Sequence, residues 1–348
     1  MAIKHAVPAA TARQFGSSGF RARVTRSTAA STAPPRTYPK DFLSVLDFEP
    51  ELVDEALRLA TRVKQERRLG RRASTANALA SLHVALIFEK PSLRTRATFE
   101  IAVRELGGDV IVPPQDSAMS SRESPADVAR NLERWVAAVV IRTFAQERLR
   151  AFAEAAPRLH VINALSDDEH PCQALADLLT LTELWGSVRG KTLTFVGDGN
   201  NVATSLVHAS LISGLHVRVA SPDGFDLPAH VVADAARIAR HGATLTLLRD
   251  PREAVAGAHA VYTDVWTSMG QEAEAAARRA VFLPYQVNGE LMARATTDAV
   301  FMHCLPAHRG DEVTDQVIDA PYSVVFDQAE NRLHIQKALL IMLVGSGR

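Results

Sequence analysis

Cysteine is scarce in this chain, with Cys172 and Cys304 the two among 348 residues. Two thiols so far apart form no disulfide framework, and a reduced, intracellular setting is the simpler reading. Long apolar runs are also missing. No stretch approaches the roughly 18 residues that a membrane span needs. The apolar run Ala338–Val344 is far shorter and reads as part of a packed helix. There are no repeats of solenoid length. No charge of one sign dominates either, since 39 basic residues face 39 acidic ones. Nucleic acid and membrane are therefore not expected partners, and an anionic substrate must be held by local basic groups. Acidic residues are absent from the first forty positions, which hold seven Lys or Arg; the remainder carries 32 basic and 39 acidic residues, a net of −7.

That first segment is rich in Ala, Ser, Thr and Arg and ends near Ala33-Pro34-Pro35. Residues 1–40 are read as a disordered extension or a targeting segment and set apart from the fold. The expected location is the cytoplasm, or an organelle if the segment is a transit peptide. The rest has the composition of a globular protein, with 47% hydrophobic and 22% charged residues. Its length suits two ordinary domains.

From about Asp41 the pattern alternates. Leu52, Val53, Ala56, Leu57, Ala60 and Val63 recur at helical spacing over 51–69. The short apolar run at 84–88 reads as a strand buried on both faces, and 109–112, 138–142 and 161–162 read as further strands. The rhythm restarts at Lys191, with strands expected at 192–196, 216–220, 244–248, 260–263 and 300–303 and helices between them. Strand–helix alternation implies parallel βαβ units. The expectation is an α/β protein of two domains, each with a mainly parallel sheet flanked by helices and a ligand cleft between them. The divisions expected are 41–171, a linking helix over 172–186, and 187–328. A last helix over 329–345 is expected to pack back on the first domain.

Five segments carry candidate chemistry, and each follows a strand or opens a helix. Ser92-Leu93-Arg94-Thr95-Arg96 stands where a strand gives way to a helix, whose free N–H groups, hydroxyls and guanidinium groups suit phosphate. An ordinary capped helix with solvated arginines is the alternative. In His170-Pro171-Cys172-Gln173, His170 and Gln173 share a helix face and can polarise a carbonyl oxygen, although a lone His is often structural. No further ligand stands nearby at metal-binding spacing. Gly197-Asp-Gly-Asn-Asn-Val202 begins like a dinucleotide fingerprint but has Val202 where the third Gly belongs, and no acid closes the next strand. Asn200 and Asn201 can bind a carboxylate or merely form the turn. Asp264-Val-Trp-Thr-Ser268-Met269-Gly270 can meet the amino and carboxylate groups of an amino acid, or cap a helix. His303-Cys304-Leu305-Pro306-Ala307-His308 suggests covalent catalysis, a metal cluster, or a thiol that is a small buried hydrophobe.

Taken in order, KPSLRTR, the Arg142-Thr-Phe segment, HPCQALADLL, GDGNN, DVWTSMGQE, HCLPAHRG and Glu330-Asn331-Arg332 resemble the transcarbamylase family from about residue 40 onward. The Ser268-Met269-Gly270 and HCLP motifs resemble its ornithine branch. The resemblance implies transfer of a carbamoyl group from carbamoyl phosphate to the δ-amine of L-ornithine, giving L-citrulline, within arginine metabolism. It implies a homotrimer, or a multiple of trimers, with no metal and no organic cofactor. Ser92, Leu93, Arg94 and Thr95 would hold the phosphate beside Arg142, with Arg332 completing the anion site. His170 and Gln173 would contact the carbamoyl group. Asn201, Asp264, Ser268 and Met269 would bind ornithine, with Cys304 and Leu305 beside its reacting amine and the Leu305–Pro306 bond cis. Arg142, His170 and Cys304 are the catalytic candidates, Cys304 as a positioning group rather than a nucleophile.

The resemblance departs from the family in the loop Asp116–Ser124, where Ala118 replaces a Gln that reaches a neighbouring subunit. Ala80-Ser-Leu-His83 also lacks a usual Gly-Lys. Rival readings are a transcarbamylase for N-acetylornithine or putrescine, and a non-catalytic homologue. The Asp264 and Ser268-Met269-Gly270 set argues for a free α-amino acid, and Arg94, His170 and Cys304 are all intact.

Overall fold

The computed structural model describes residues 37–114, 123–267 and 272–345. The loop around Ala118 and the candidate residues Ser268 and Met269 lie outside these.

The chain begins with α1 (Pro50–Glu66), whose buried face is Val53, Ala56, Leu57, Ala60 and Val63. Next come β1 (His83–Phe88), α2 (Leu93–Glu105) and β2 (Asp109–Ile111). They are followed by α3 (Pro125–Leu132), β3 (Ala138–Arg142), α4 (Gln146–Ala155) and β4 (His160–Leu165). These strands form one parallel sheet in the order β2-β1-β3-β4. The helix α5 (Pro171–Trp185) leads into a second half. There β5 (Thr192–Val196), α6 (Asn201–Ser213), β6 (His216–Ala220), α7 (Ala229–Ile238) and β7 (Leu245–Leu248) alternate. The short α8 (Pro251–Val255), β8 (Ala260–Thr263), α9 (Ala275–Phe282), α10 (Gly289–Met292) and β9 (Val300–His303) follow. Their strands make a second parallel sheet, β7-β6-β5-β8-β9. After α11 (Asp315–Ile318), the chain ends its described course in α12 (Val325–Leu343).

The expected strands are all present; those at 138–142, 192–196, 216–220, 260–263 and 300–303 keep the expected limits, and β4 is the clearest extension, running over 160–165 rather than two residues. The last helix starts at Val325, four residues before its expected start. No side chain caps its N-terminus, so the usual polar start signal is missing there. From Tyr38 onward the contacts form one compact unit holding both sheets. No helix among the described residues is long and apolar enough to cross a membrane.

Each sheet has a switch point, where successive strands stop adding to one side and begin adding to the other. In the first it lies between β1 and β3, and in the second between β5 and β8. Ligand crevices form at such points, beyond the carboxyl ends of the strands. Arg142 ends β3, and the segments after β1, β5 and β8 carry Ser92–Thr95, Asn200–Asn201 and Asp264. Although α12 follows the second sheet, it packs against α1, α2 and α5. It is buried almost all round, including Asn331, Arg332, Gln336 and Lys337. Burying an ion costs several kcal/mol. Ile335, Leu339, Leu340 and Met342, each worth about 1.5–3 kcal/mol when buried, offset that cost.

Candidate active site

A cleft of about 480 Å³ opens at both switch points. Its first wall is the start of α2. Ser92 is the N-cap of that helix, and its hydroxyl accepts a hydrogen bond from the Thr95 N–H at 3.3 Å. Leu93, Arg94 and Arg142 line the cleft beside it, and Arg332 enters from α12. Arg142 ends β3, where the pairing with β4 skips a residue between Asn163 and Leu165. Such irregularities re-aim side chains at strand ends. Thr95 is fully buried and accepts a hydrogen bond from the Arg332 guanidinium.

The charge balance at this wall is one-sided. Glu89 is engaged with Arg148 and Thr143, and Asp167, which lines the cleft, with Lys90 at 2.5 Å. Among the described residues no carboxylate pairs with Arg94, Arg142 or Arg332, and the Nε atoms of Arg142 and Arg332 are buried without a hydrogen-bond partner. Burial, with Arg332 and Arg94 close by, lowers the Arg142 pKa to about 10, which leaves it cationic at neutral pH. Three guanidinium groups and a helix N-terminus facing one space form a receptor for a multiply charged anion.

His170 occupies the N-cap position of α5, without a side-chain capping bond, and lines the same cleft. Burial, then Arg332 and Arg142, pushes its pKa well below the ordinary 6.5, so the imidazole is neutral and offers a single N–H. Its backbone N–H donates to the Ser205 hydroxyl at 2.8 Å. Gln173, by contrast, does not line the cleft. Its amide donates to Asp177 at 2.8 Å, one turn further along α5. Asp177 also accepts from Gln328 at 2.9 Å, and Gln328 in turn accepts from the His303 backbone at 2.9 Å. Burial raises the Asp177 pKa to about 6 despite these donors.

The opposite wall belongs to the second sheet. Asn200 accepts from the N–H groups of Val202 and Ala203, capping α6, and donates to Asp264 Oδ2 at 2.9 Å. Asn201 also lines the cleft, with its amide nitrogen on the Ser166 carbonyl. The other Asp264 oxygen, Oδ1, accepts from the Cys304 thiol at 2.9 Å. Burial and the neighbouring Asp264 drive the Cys304 pKa well up, so it is a thiol and not a thiolate nucleophile. The Leu305–Pro306 peptide is cis, and Leu305 adopts a positive φ of 58°. Both residues line the cleft.

Two features bear on readings left open by the sequence. A Cβ on Gly199 would stand 2.4 Å from the backbone of Asp226 and Leu227. The glycine therefore serves a close approach of the chain to itself, where a dinucleotide fingerprint would use it to approach a pyrophosphate. Asp264, His303 and Cys304 bring ligand-type atoms within 4.8 Å of one another. Both His303 nitrogens are already engaged, Nδ1 by the Leu305 N–H at 2.9 Å and Nε2 by Glu312 at 3.2 Å, and the thiol holds its proton. In the structure these three residues belong to one hydrogen-bond network.

Sequence reasoning missed Asn200 as the partner of Asp264, and Lys90, whose ammonium lies 4.3 Å from the Phe144 ring centre. It also missed Arg278, which pairs with Asp198 at the cleft edge. Asn200 alone had a local signal, its N-cap position; the other two depend on tertiary partners.

Comparison with known proteins matches this arrangement. Residues 40–183 match the family domain described as aspartate/ornithine carbamoyltransferase, carbamoyl-P binding domain, and residues 189–343 match the corresponding Asp/Orn binding domain. An ornithine carbamoyltransferase of Anoxybacillus flavithermus is 47% identical over 315 residues, covering 90% of this chain and 99% of that one. An anabolic ornithine carbamoyltransferase of Pseudomonas aeruginosa is 48% identical over 306 residues, covering 88% and 97%. The solved ornithine carbamoyltransferase of Pyrococcus furiosus superposes with a TM-score of 0.84 at 45% identity, covering 88% and 97%. A shared fold, with family domains spanning both sheets and the cleft between them, places this chain in the aspartate/ornithine carbamoyltransferase family.

Proposed function

We propose that the protein transfers the carbamoyl group of carbamoyl phosphate to the δ-amine of L-ornithine, releasing L-citrulline and phosphate, and that it serves arginine synthesis. The observation that carries this reading is the cleft's polarity. Three guanidinium groups without carboxylate partners among the described residues stand on one wall, and a buried carboxylate, Asp264, on the other. One wall suits a phosphate and the other an amino acid's ammonium group.

In this reading residues 41–171 hold carbamoyl phosphate and residues 187–328 hold ornithine. Ser92, Leu93, Arg94 and Thr95 bind the phosphate through hydroxyls, backbone N–H groups and the guanidinium, joined by Arg142 and Arg332. The uncharged δ-amine attacks the carbamoyl carbon, and a tetrahedral oxyanion forms. The N–H of neutral His170, with Arg142, stabilises that oxygen. The bond from carbon to the phosphate oxygen then breaks, and the arginines and the α2 N-terminus take up the leaving charge. The amine's proton passes to the leaving phosphate as product forms. Asn201 and Asp264 orient ornithine, with Cys304 and Leu305 beside its reacting end, and much of the rate gain comes from orienting two substrates. Gln173 stands one turn into α5, its amide nitrogen held by Asp177 and its Oε1 without a hydrogen-bond partner. The reaction as written uses no metal or organic cofactor.

The same reading extends to a cytoplasmic homotrimer. Ile111 on the edge strand β2 and Val112 just after it are exposed, as are Leu93 and Ile101 on α2. Apolar residues on an unpaired edge favour coverage by a second copy. Light scattering of the purified protein tests the assembly.

The activity is tested by incubating the protein with carbamoyl phosphate and each of ornithine, N-acetylornithine, putrescine and aspartate. Citrulline from ornithine alone is the expected result. Product from another amine would keep the phosphate wall and overturn the acceptor assignment.

A further inference from the structure

Arg278 is a cation with almost no access to water, 6% exposed, on α9 behind the second wall. Its Nε donates to the Trp266 carbonyl at 2.5 Å, and its terminal nitrogen pairs with Asp198. The guanidinium carbon lies 4.8 Å from the centre of the Phe225 ring and 5.5 Å from that of Phe282. Trp266 itself turns inward and stacks on Phe282 at 5.9 Å. Its neighbours Val265 and Thr267 face the cleft, as do Asp198 and Asn200 on the other loop.

One side chain thus ties together the two loops that present the acceptor-facing groups. Through Trp266 it holds the backbone just after Asp264. Through Asp198 it holds the turn that delivers Asn200, the partner of Asp264. A planar fork bonded in two directions between aromatic faces has little freedom. Asp198 would otherwise add a second negative group to the cleft, since it lines the space and has Arg278 as its ion-pair partner. None of these contacts reaches Ser92, Arg94 or Arg142.

We infer that Arg278 is a positioning residue for the amine acceptor: by pinning the Trp266 carbonyl and pairing with Asp198, it sets the geometry of Asp264 and Asn200 without contributing to phosphate binding. The inference rests on the acceptor assignment proposed above.

The test compares Arg278→Met, Arg278→Lys and Asp198→Asn in the full chain, by steady-state kinetics with each substrate varied in turn. Arg278→Met should raise KM for ornithine about 10–100-fold, as expected for losing charged hydrogen bonds, with kcat changed far less. The KM for carbamoyl phosphate should stay within about 2–3-fold, which also reports that the variant folds. Arg278→Lys should recover part of the loss, because it restores the charge beside Asp198 but not the fork. Asp198→Asn should shift the ornithine KM in the same direction, and the double variant should show less than the product of the two effects. If Arg278→Met does not fold, Asp198→Asn carries the test from the cleft side. An unchanged ornithine KM, equal changes in both KM values, or multiplicative effects would overturn the inference. A wild-type protein that makes no citrulline would instead overturn the acceptor reading beneath it, and this inference with it.

Discussion

The Arg332 guanidinium donates a hydrogen bond to the Thr95 hydroxyl, across 237 positions of sequence. A residue near the end of the described chain thereby completes the anion wall begun by the first turn of α2. Both groups are buried, and Arg332 has no carboxylate partner among the described residues.

That pairing predicts a separation of activity from stability. Arg332→Met should lower kcat/KM for carbamoyl phosphate by about 100-fold or more, or ~2.7 kcal/mol of transition-state stabilisation. Thermal stability without ligand should hold or rise, because a buried cation facing Arg142 is replaced by an apolar chain of similar length. Calorimetry and steady-state kinetics read the two quantities. A large fall in melting temperature with unchanged kinetics would contradict the assignment.

The neutral state of His170 predicts a pH signature. Between its depressed folded value and the ordinary 6.5, the unfolded chain binds a proton that the folded chain refuses. Stability should therefore fall as pH drops below about 6.5, by up to ~1.4 kcal/mol per pH unit. Asp177 works oppositely: with a folded value of about 6 against 3.8, it weakens the fold as pH rises across that window. Comparison with His170→Asn isolates the imidazole. In urea titrations at about pH 7.5 and about pH 5.5, the parent should lose roughly 1 kcal/mol more than the variant. Equal losses would mean that His170 takes up a proton in the folded state.

The protonated thiol of Cys304 predicts slow alkylation and a non-covalent role. Cys304→Ser should raise KM for ornithine about tenfold, by disturbing the donor to Asp264, and leave carbamoyl phosphate binding within about 2–3-fold. Mass spectrometry of the enzyme quenched during turnover should find no carbamoyl group on sulfur. A carbamoylated Cys304 peptide would replace the direct transfer with a two-step one.

Much of this was legible in sequence for a physical reason. Strands such as Ala138–Arg142 are buried on both faces, so they read as short continuous apolar runs. The candidate residues stood at strand ends, where both parallel sheets gather their crevices. α12 was harder. With Arg332, Gln336 and Lys337 buried among its apolar residues it has no single apolar stripe, and its first turn lacks a capping side chain. The surroundings of Gln173 and Arg278 were illegible because each depends on a distant residue: Gln328, which meets Asp177 one turn from Gln173, and Asp198, which meets Arg278. No local spacing encodes those meetings.

The return of α12 to the first sheet also bears on how the chain can be divided. A gene cut between β4 and β5 would not yield two modules, because the first fragment would expose the surfaces of α1 and α2 that α12 covers. The fragments would have to complement one another to regain the Arg332–Thr95 contact. During synthesis the same order makes the anion wall the last structure assembled, after the entire second sheet has been translated. A nascent chain with both sheets formed but α12 still missing would lack Arg332 at the cleft and leave the surfaces of α1 and α2 uncovered.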